Sequence, residues 1–76
     1  MYSLSIISDI GYKKLDIEKF NIDFLSKKFN LYILDITAIS NQKFKSEISD
    51  HKNYINFDNK KDFEKFLKEK KIDYAI

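Results

Sequence analysis

The segment at residues 31–39, LYILDITAI, constrains the fold more than any other part of the chain. Apolar side chains occupy neighbouring positions in it, so an extended strand there would be apolar on both faces. A strand of this kind needs cover on both sides, which is the usual situation in a parallel sheet. The segment therefore predicts a central strand of an α/β fold.

The N-terminal segment, YSLSIIS, predicts a first strand with two unlike faces. Apolar side chains and serines alternate along it, which is the pattern of a strand covered on one side. The apolar positions are Tyr2, Leu4 and Ile6, and the serines are Ser3 and Ser5. A turn is expected directly afterwards at Gly11, the only glycine of the chain.

A helix is predicted between these two strands, over residues 15–29. One apolar stripe at helical spacing runs along it, formed by Ile17, Phe20, Phe24 and Leu25. Asp16 is the expected N-cap, and Lys27 and Lys28 lie where the helix dipole favours cations.

The second half of the chain repeats the pattern after a polar connector at residues 40–53. Within the connector, Phe44 and Ile48 have the spacing of one or two helical turns. Residues 54–57 predict a strand, 58–71 a helix and 72–76 a last strand. The helix is expected to begin at Asp58 or Asn59 and to carry a Glu64–Lys68 pair, with its apolar stripe facing inward.

Two architectures satisfy this order of elements. In a Rossmann-like β-α-β-connector-β-α-β half domain, all four strands are parallel. In a ferredoxin-like α+β fold, the two units interlock in an antiparallel sheet with one bare face. The serine face of the first strand favours the antiparallel sheet, whereas the two apolar faces of residues 31–39 and the long connector favour the parallel one. The parallel half domain is our leading prediction, with the ferredoxin-like fold as the alternative.

Composition narrows the classes of partner. The 76 residues allow one domain, and the absence of cysteine excludes disulfides and thiolate metal sites. There is no arginine, and the lysine pairs are offset by nearby acids, so the net charge of +2 is spread along the chain. Nucleic-acid binding is therefore not expected, because it usually requires concentrated positive charge. No apolar run reaches the length of a membrane span and no targeting segment is recognisable, so we expect a cytoplasmic protein.

Candidate ligand-binding residues follow the first two strands. In open α/β sheets, ligands bind beyond the carboxyl ends of the strands. The residues expected there are Ser8, Asp9, Gly11 and Tyr12 after the first strand, and Asp35 and Thr37 at the end of the second.

Neither a cofactor nor a metal is expected. The loop SDIGYK has one glycine where a dinucleotide-binding fingerprint needs three, although Asp35 follows at a distance that would suit a ribose-binding acid. His51 is the only histidine and lies in the polar connector, where we expect a solvated side chain rather than a metal ligand. Catalytic residues cannot be assigned from the sequence.

Much of the chain resembles a family of larger proteins. The runs FLSKKFNLYILDITAIS, YINF and NKKDFEKFLKEKKIDYAI resemble the N-terminal region of bacterial surface-carbohydrate (capsule or lipopolysaccharide) biosynthesis proteins, which are similar to glycosyltransferases with two Rossmann domains. The shared features are a strand ending in Asp35-Ile36-Thr37 and a later strand opened by Asp73. The loop DIGYKK lacks the glycine pair that is common in those enzymes.

The resemblance implies a function that needs more than this chain. Residues 1–76 would be a single α/β unit, an incomplete N-terminal domain on the acceptor side of a glycosyltransferase-like protein, inactive by itself. Its expected partner is a missing C-terminal domain, or another copy through the terminal strand. The alternative is a complete ferredoxin-like binding or interaction module without catalysis.

Overall fold

The computed structural model describes residues 1–40 and 46–76. Within these ranges the chain forms four strands and three helices. In chain order they are β1 (Ser3–Ser8), α1 (Leu15–Lys19), α2 (Ile22–Lys28), β2 (Asn30–Asp35), β3 (Tyr54–Asn56), α3 (Lys60–Lys70) and β4 (Tyr74–Ala75).

The four strands form one sheet in which every neighbouring pair is parallel, in the order β3-β2-β1-β4. Leu4 of β1 lies opposite Leu31 of β2 on one side and Tyr74 of β4 on the other. The predicted α/β class with a parallel four-stranded sheet is confirmed, and this sheet is compatible with a Rossmann-like fold. The antiparallel ferredoxin-like alternative is wrong, because strands joined by long connections pair here in the same direction.

The first face of the sheet carries most of the apolar core. Leu4 and Ile6 of β1 lie beside Leu31 and Ile33 of β2, and all four are buried. The α1–α2 segment covers this face through Ile22, which is fully buried, and through the half-buried residues Ile17, Phe20 and Leu25. Ile48 of the connector completes the cluster.

The second face is covered by α3, which leads from β3 at one edge of the sheet to β4 at the other. Phe66 of α3 packs edge-on against Tyr32 at 5.2 Å and against Phe57 at 5.3 Å between ring centroids. Ser5 is on this face because it lies opposite Tyr32 in the parallel register, and it is fully buried. The serine face of β1 is therefore an interior surface, and the prediction that it favours a bare sheet face is wrong. Small side chains there leave room for a crossing helix.

The predicted helix over residues 15–29 is divided in two. Asn21 adopts a left-handed conformation, with φ at 52°, and separates α1 from α2. Asparagine is one of the few residues other than glycine that tolerate this region. The break lets both short helices turn apolar side chains toward the sheet.

Asp16 is not the N-cap that the sequence predicts. The N-cap residue of α1 is Lys14, whose side chain makes no capping hydrogen bond. Asp16 lies two residues further on, in the first turn of α1, and its carboxylate accepts a hydrogen bond from the backbone N–H of Lys13, at 2.8 Å. The carboxylate still stabilises the start of α1, but from inside the helix.

The second strand is shorter than predicted, because β2 ends at Asp35. The chain then turns, and the N–H groups of Ile39 and Ser40 donate to the carbonyl oxygen of Ile36 at 3.1 and 3.2 Å. The predicted helical turn at Phe44 and Ile48 includes Phe44, which lies outside the described residues; Ile48 is buried.

The cap of α3 matches the prediction. The side chain of Asn59 accepts a hydrogen bond from the N–H of Asp62 at 2.9 Å. The predicted Glu64–Lys68 pair is wrong, because Glu64 instead lies 3.8 Å from Lys60 on the exposed face of the helix. At 11 residues α3 is the longest helix, and no helix in the described ranges is long and apolar enough to cross a membrane.

The end of α3 provides a test of the backbone geometry. Lys71 is exposed and left-handed, with φ at 48°, so Lys71→Gly should raise the free energy of unfolding by about 1 kcal/mol. Lys68→Gly removes the same charge from an exposed position within the last turn of α3 and should lower that free energy by up to about 1 kcal/mol. Urea denaturation of both variants checks the pair, and a loss of stability in Lys71→Gly would contradict the geometry.

Candidate functional site

The carboxyl ends of the strands bring the two groups of candidate residues to one edge of the sheet. Ser8 at the end of β1 lies opposite Asp35 at the end of β2, which lies opposite Asn56 at the end of β3. Parallel strands place their following loops at the same edge. The structure therefore joins residues that are far apart in the sequence, but it divides them between a buried network and an open crevice.

The buried network is centred on the carboxylate of Asp35, which is 1% exposed. One oxygen, Oδ1, accepts hydrogen bonds from the backbone N–H of Thr37 at 2.9 Å and from its hydroxyl at 2.6 Å. The other oxygen, Oδ2, accepts from the hydroxyl of Tyr54 at 2.6 Å and from the hydroxyl of Ser46. Four donors from three parts of the chain thus converge on one carboxylate.

These donors keep Asp35 ionised in the interior. Burial by itself raises the pKa of a carboxyl group, because the charged form loses its water. The hydroxyls of Ser46, Thr37 and Tyr54 outweigh this effect and hold the pKa of Asp35 below its usual range. Since the lone pairs of both oxygens are engaged, Asp35 is placed to hold the fold together rather than to accept a proton from a substrate.

Tyr12 belongs to the same network from the side of the β1–α1 loop, residues 9–14. Its hydroxyl lies 2.8 Å from the carbonyl oxygen of Ile6 and 2.9 Å from that of Leu34, and donates to one of them at a time. Burial, and next the negative charge of Asp35, raise the pKa of Tyr12. The side chain is therefore a neutral donor that fixes the loop over the ends of β1 and β2.

Ser46 and Glu47 fasten the same loop from the connector; we name these two residues the strap. The N–H of Tyr12 donates to the hydroxyl oxygen of Ser46 at 3.0 Å, and the N–H of Glu47 donates to the carbonyl oxygen of Tyr12 at 2.8 Å. The Glu47 carboxylate also accepts from the N–H of Lys14 at 2.9 Å. Because Ser46 bonds to Asp35 as well, the strap links the loop to the end of β2.

The remaining predicted residues shape the loop itself. The hydroxyl of Ser8 donates to the carbonyl oxygen of Gly11 at 3.0 Å and accepts from the N–H of Ile10 at 3.2 Å. Gly11 has φ at 86°, in the region that favours glycine, which confirms the predicted turn. Asp9 is exposed, and its carbonyl oxygen accepts from the hydroxyl of Ser40 at 3.1 Å.

An open crevice lies between this loop and the end of β4. Its volume is about 180 Å³. Ten residues line it: Ile6, Ile7, Ser8, Ile10, Gly11, Tyr12, Asp16, Lys19, Phe20 and Ile76. The crevice thus contains the predicted residues Ser8, Gly11 and Tyr12, whereas Asp9, Asp35 and Thr37 are not among its lining residues.

The position of the crevice follows from the strand order. The chain moves from β1 outward to β2 and β3, then crosses back to place β4 on the other side of β1. Ligands of open α/β sheets bind where the order reverses in this way. The crevice lies at that point, so it is the candidate ligand site of the chain.

A second hollow of about 240 Å³ lies toward the opposite ends of the strands, beside Asn30, Lys52 and Asn53. It is larger but more open to solvent, and it lies near the amino end of β2. The strand order gives no reason for a ligand to bind there, so we place the candidate site at the crevice.

Among residues 1–40 and 46–76, no three His, Asp or Glu side chains lie together in a way that could hold a metal ion. His51, predicted as a solvated connector residue, is half-buried. Its Nδ1 accepts a hydrogen bond from the N–H of Asn53 at 3.1 Å. The imidazole therefore closes a local turn.

The sequence did not identify Ser46, Glu47 and Tyr54 as part of this edge. Ser46 and Glu47 lie in a polar connector whose pattern resembles that of any solvated loop. Tyr54 opens a strand, where an aromatic residue is ordinary. Only the parallel pairing of β2 with β3 brings its hydroxyl to Asp35.

Comparisons with known proteins give no family assignment. No family model matches the chain, no curated protein is found to be similar to it, and no solved structure matches its fold.

The Asp35 network predicts how stability depends on pH. Because the native pKa of Asp35 is depressed, its contribution is complete above about pH 4, the usual pKa of an unfolded aspartate. The contribution is lost as the pH falls through the lower native value. Asp35→Asn should lower the free energy of unfolding by about 2 kcal/mol at neutral pH. In acid, the free energies of unfolding of this variant and of the unsubstituted chain should become more alike.

Urea denaturation between neutral pH and about pH 2 measures this difference. Asp58→Asn, at an exposed aspartate ahead of α3, is the matched control and should leave stability within about 0.5 kcal/mol. Parallel pH profiles for Asp35→Asn and the unsubstituted chain would contradict the role given to Asp35.

Proposed function

We propose that this chain is a Rossmann-like half domain of a glycosyltransferase-like protein of bacterial surface-carbohydrate biosynthesis. It binds a small ligand in the crevice at the carboxyl edge of its sheet and acts in the cytoplasm. Catalysis requires a second domain, because the chain supplies a binding surface without an assigned catalytic group. The glycosyltransferase class comes from the resemblance of residues 21–76 to that family.

The observation that supports ligand binding most strongly is the position of the crevice. It lies where the strand order of the parallel sheet reverses between β1 and β4. Its wall is a loop held in place by Tyr12 and by the strap. A preformed wall reduces the ordering cost of binding.

The edge at β4 supports the need for a second domain. Tyr74 is 53% exposed and Ile76 is 64% exposed. Tyr2, also exposed, packs edge-on against Tyr74 with 5.8 Å between ring centroids. Contiguous exposed apolar side chains mark surfaces that other proteins or domains cover. We propose that this surface, Tyr2, Tyr74 and Ile76, receives the second domain.

The same surface supports the alternative of an interaction module without catalysis. In that case a second copy of the chain would pair with β4 and extend the sheet. The exposed outer edge of β4 is the feature that both functions share, since an unpaired edge strand accepts another strand.

Reconstitution with the second domain tests the proposal. The chain is purified alone and together with the α/β domain encoded in the same or the adjoining reading frame, and transfer of a labelled sugar from a nucleotide-sugar to surface-glycan acceptors is measured. We expect transfer only when both parts are present. Tyr74→Lys should weaken the complex at least about tenfold, because it places a charge in an apolar interface.

Phe24→Lys is the matched control, since Phe24 is a similarly exposed aromatic residue on α2. It should leave the complex unchanged. A defined homodimer that Tyr74→Lys dissociates, without any sugar transfer in the mixture, would favour the interaction module. Absence of both a complex and transfer would contradict both functions.

A further inference from the structure

We propose that the crevice accepts a single uncharged sugar ring and rejects phosphate. This inference rests on the proposed function and narrows the class of ligand that its site takes. Its basis is the hydrogen bonding of the β1–α1 loop, together with the size and lining of the crevice.

The first strand-to-helix loop of a Rossmann fold ordinarily offers its backbone N–H groups to phosphate. Here four of those groups already donate to side chains of the chain itself. Ile10 donates to Ser8 at 3.2 Å, Tyr12 to Ser46 at 3.0 Å, Lys13 to Asp16 at 2.8 Å and Lys14 to Glu47 at 2.9 Å.

Two of these acceptors are carboxylates. Asp16 and Glu47 occupy the N–H groups at the start of α1, where an anion would otherwise be attracted. A phosphate approaching the loop would have to displace a negative group and remain near it. Because like charges repel at short range, these two acids keep an anion away from the N–H groups of Lys13 and Lys14, and Lys19 is the only cation that lines the crevice among the described residues.

The lining suits a neutral ring with an apolar face and polar edges. Ile10, Phe20 and Ile76 provide apolar surface, while Asp16 and Lys19 provide an acceptor and a donor for hydroxyl groups. An apolar cavity of about 150 Å³ accommodates one benzene ring. A pyranose with its hydroxyl groups is larger than benzene, so the open crevice, at about 180 Å³, has room for one such ring and not for two.

Amide chemical shifts of the ¹⁵N-labelled chain test the proposal directly. Methyl β-D-glucopyranoside and inorganic phosphate are titrated separately at constant ionic strength and pH. The glucoside should shift the amide signals of Gly11, Phe20 and Ile76. Phosphate should leave the signals of Lys13 and Lys14 in place.

Two exposed apolar residues provide a matched pair of variants. Ile10 lines the crevice and Leu15 does not, although they are 67% and 73% exposed. Ile10→Ala should weaken glucoside binding roughly fivefold through lost apolar contact, and Leu15→Ala should leave it unchanged.

The results that would contradict the uncharged ligand differ from those that would contradict the proposed function. If phosphate shifts the amide signals of Lys13 and Lys14, the proposal of an uncharged ligand is wrong, while the crevice remains the binding site. Glucoside shifts confined to the hollow beside Asn30 and Asn53, or no shifts with either probe, would overturn the crevice itself and the proposed function with it.

Discussion

The buried carboxylate of Asp35 is the interaction on which the structure at the carboxyl ends of the strands depends. It stands at the end of a central strand and receives hydrogen bonds from Thr37, Ser46 and Tyr54. A buried charge is costly unless its lone pairs are engaged. Once Asp35 is placed there by β2, the four donor groups of these three residues must come to it. The turn after β2, the middle of the connector and the start of β3 are thereby ordered together.

The crevice follows from the same constraint. The hydroxyl of Ser46 donates to the Asp35 carboxylate and accepts from the N–H of Tyr12. Tyr12 in turn belongs to the loop that forms one wall of the crevice. The sheet supplies the opposite wall, because the return crossing by α3 places β4 beside β1. Both walls of the crevice are therefore formed by the folded chain itself. The acids that complete the loop, Asp16 and Glu47, also place negative charge at the start of α1.

Strand positions and the α/β class could be predicted because they follow from local apolar patterns, as in residues 31–39. The break at Asn21 could not, since the apolar stripe from Ile17 to Leu25 continues across it at helical spacing. The burial of Ser5 could not be predicted, because a small polar residue under a crossing helix has the same sequence pattern as one that faces water. The position of Asp35 towards the end of a strand could be predicted from the sequence, but two of its donors could not. Ser46 and Tyr54 lie 11 and 19 residues further along the chain, and the hydroxyl of Tyr54 reaches Asp35 only because β2 and β3 pair in parallel.

Native-state hydrogen exchange in a Ser46→Ala variant tests the central role of the Asp35 network most directly. The amide of Glu47 bonds to the loop through Tyr12, whereas the amide of Ile33 bonds within the sheet to the carbonyl oxygen of Asn53. If Ser46 transmits order from Asp35 to the loop, protection should fall at Glu47 by about tenfold or more relative to Ile33. Equal protection changes at the two amides, or none at Glu47, would contradict the account.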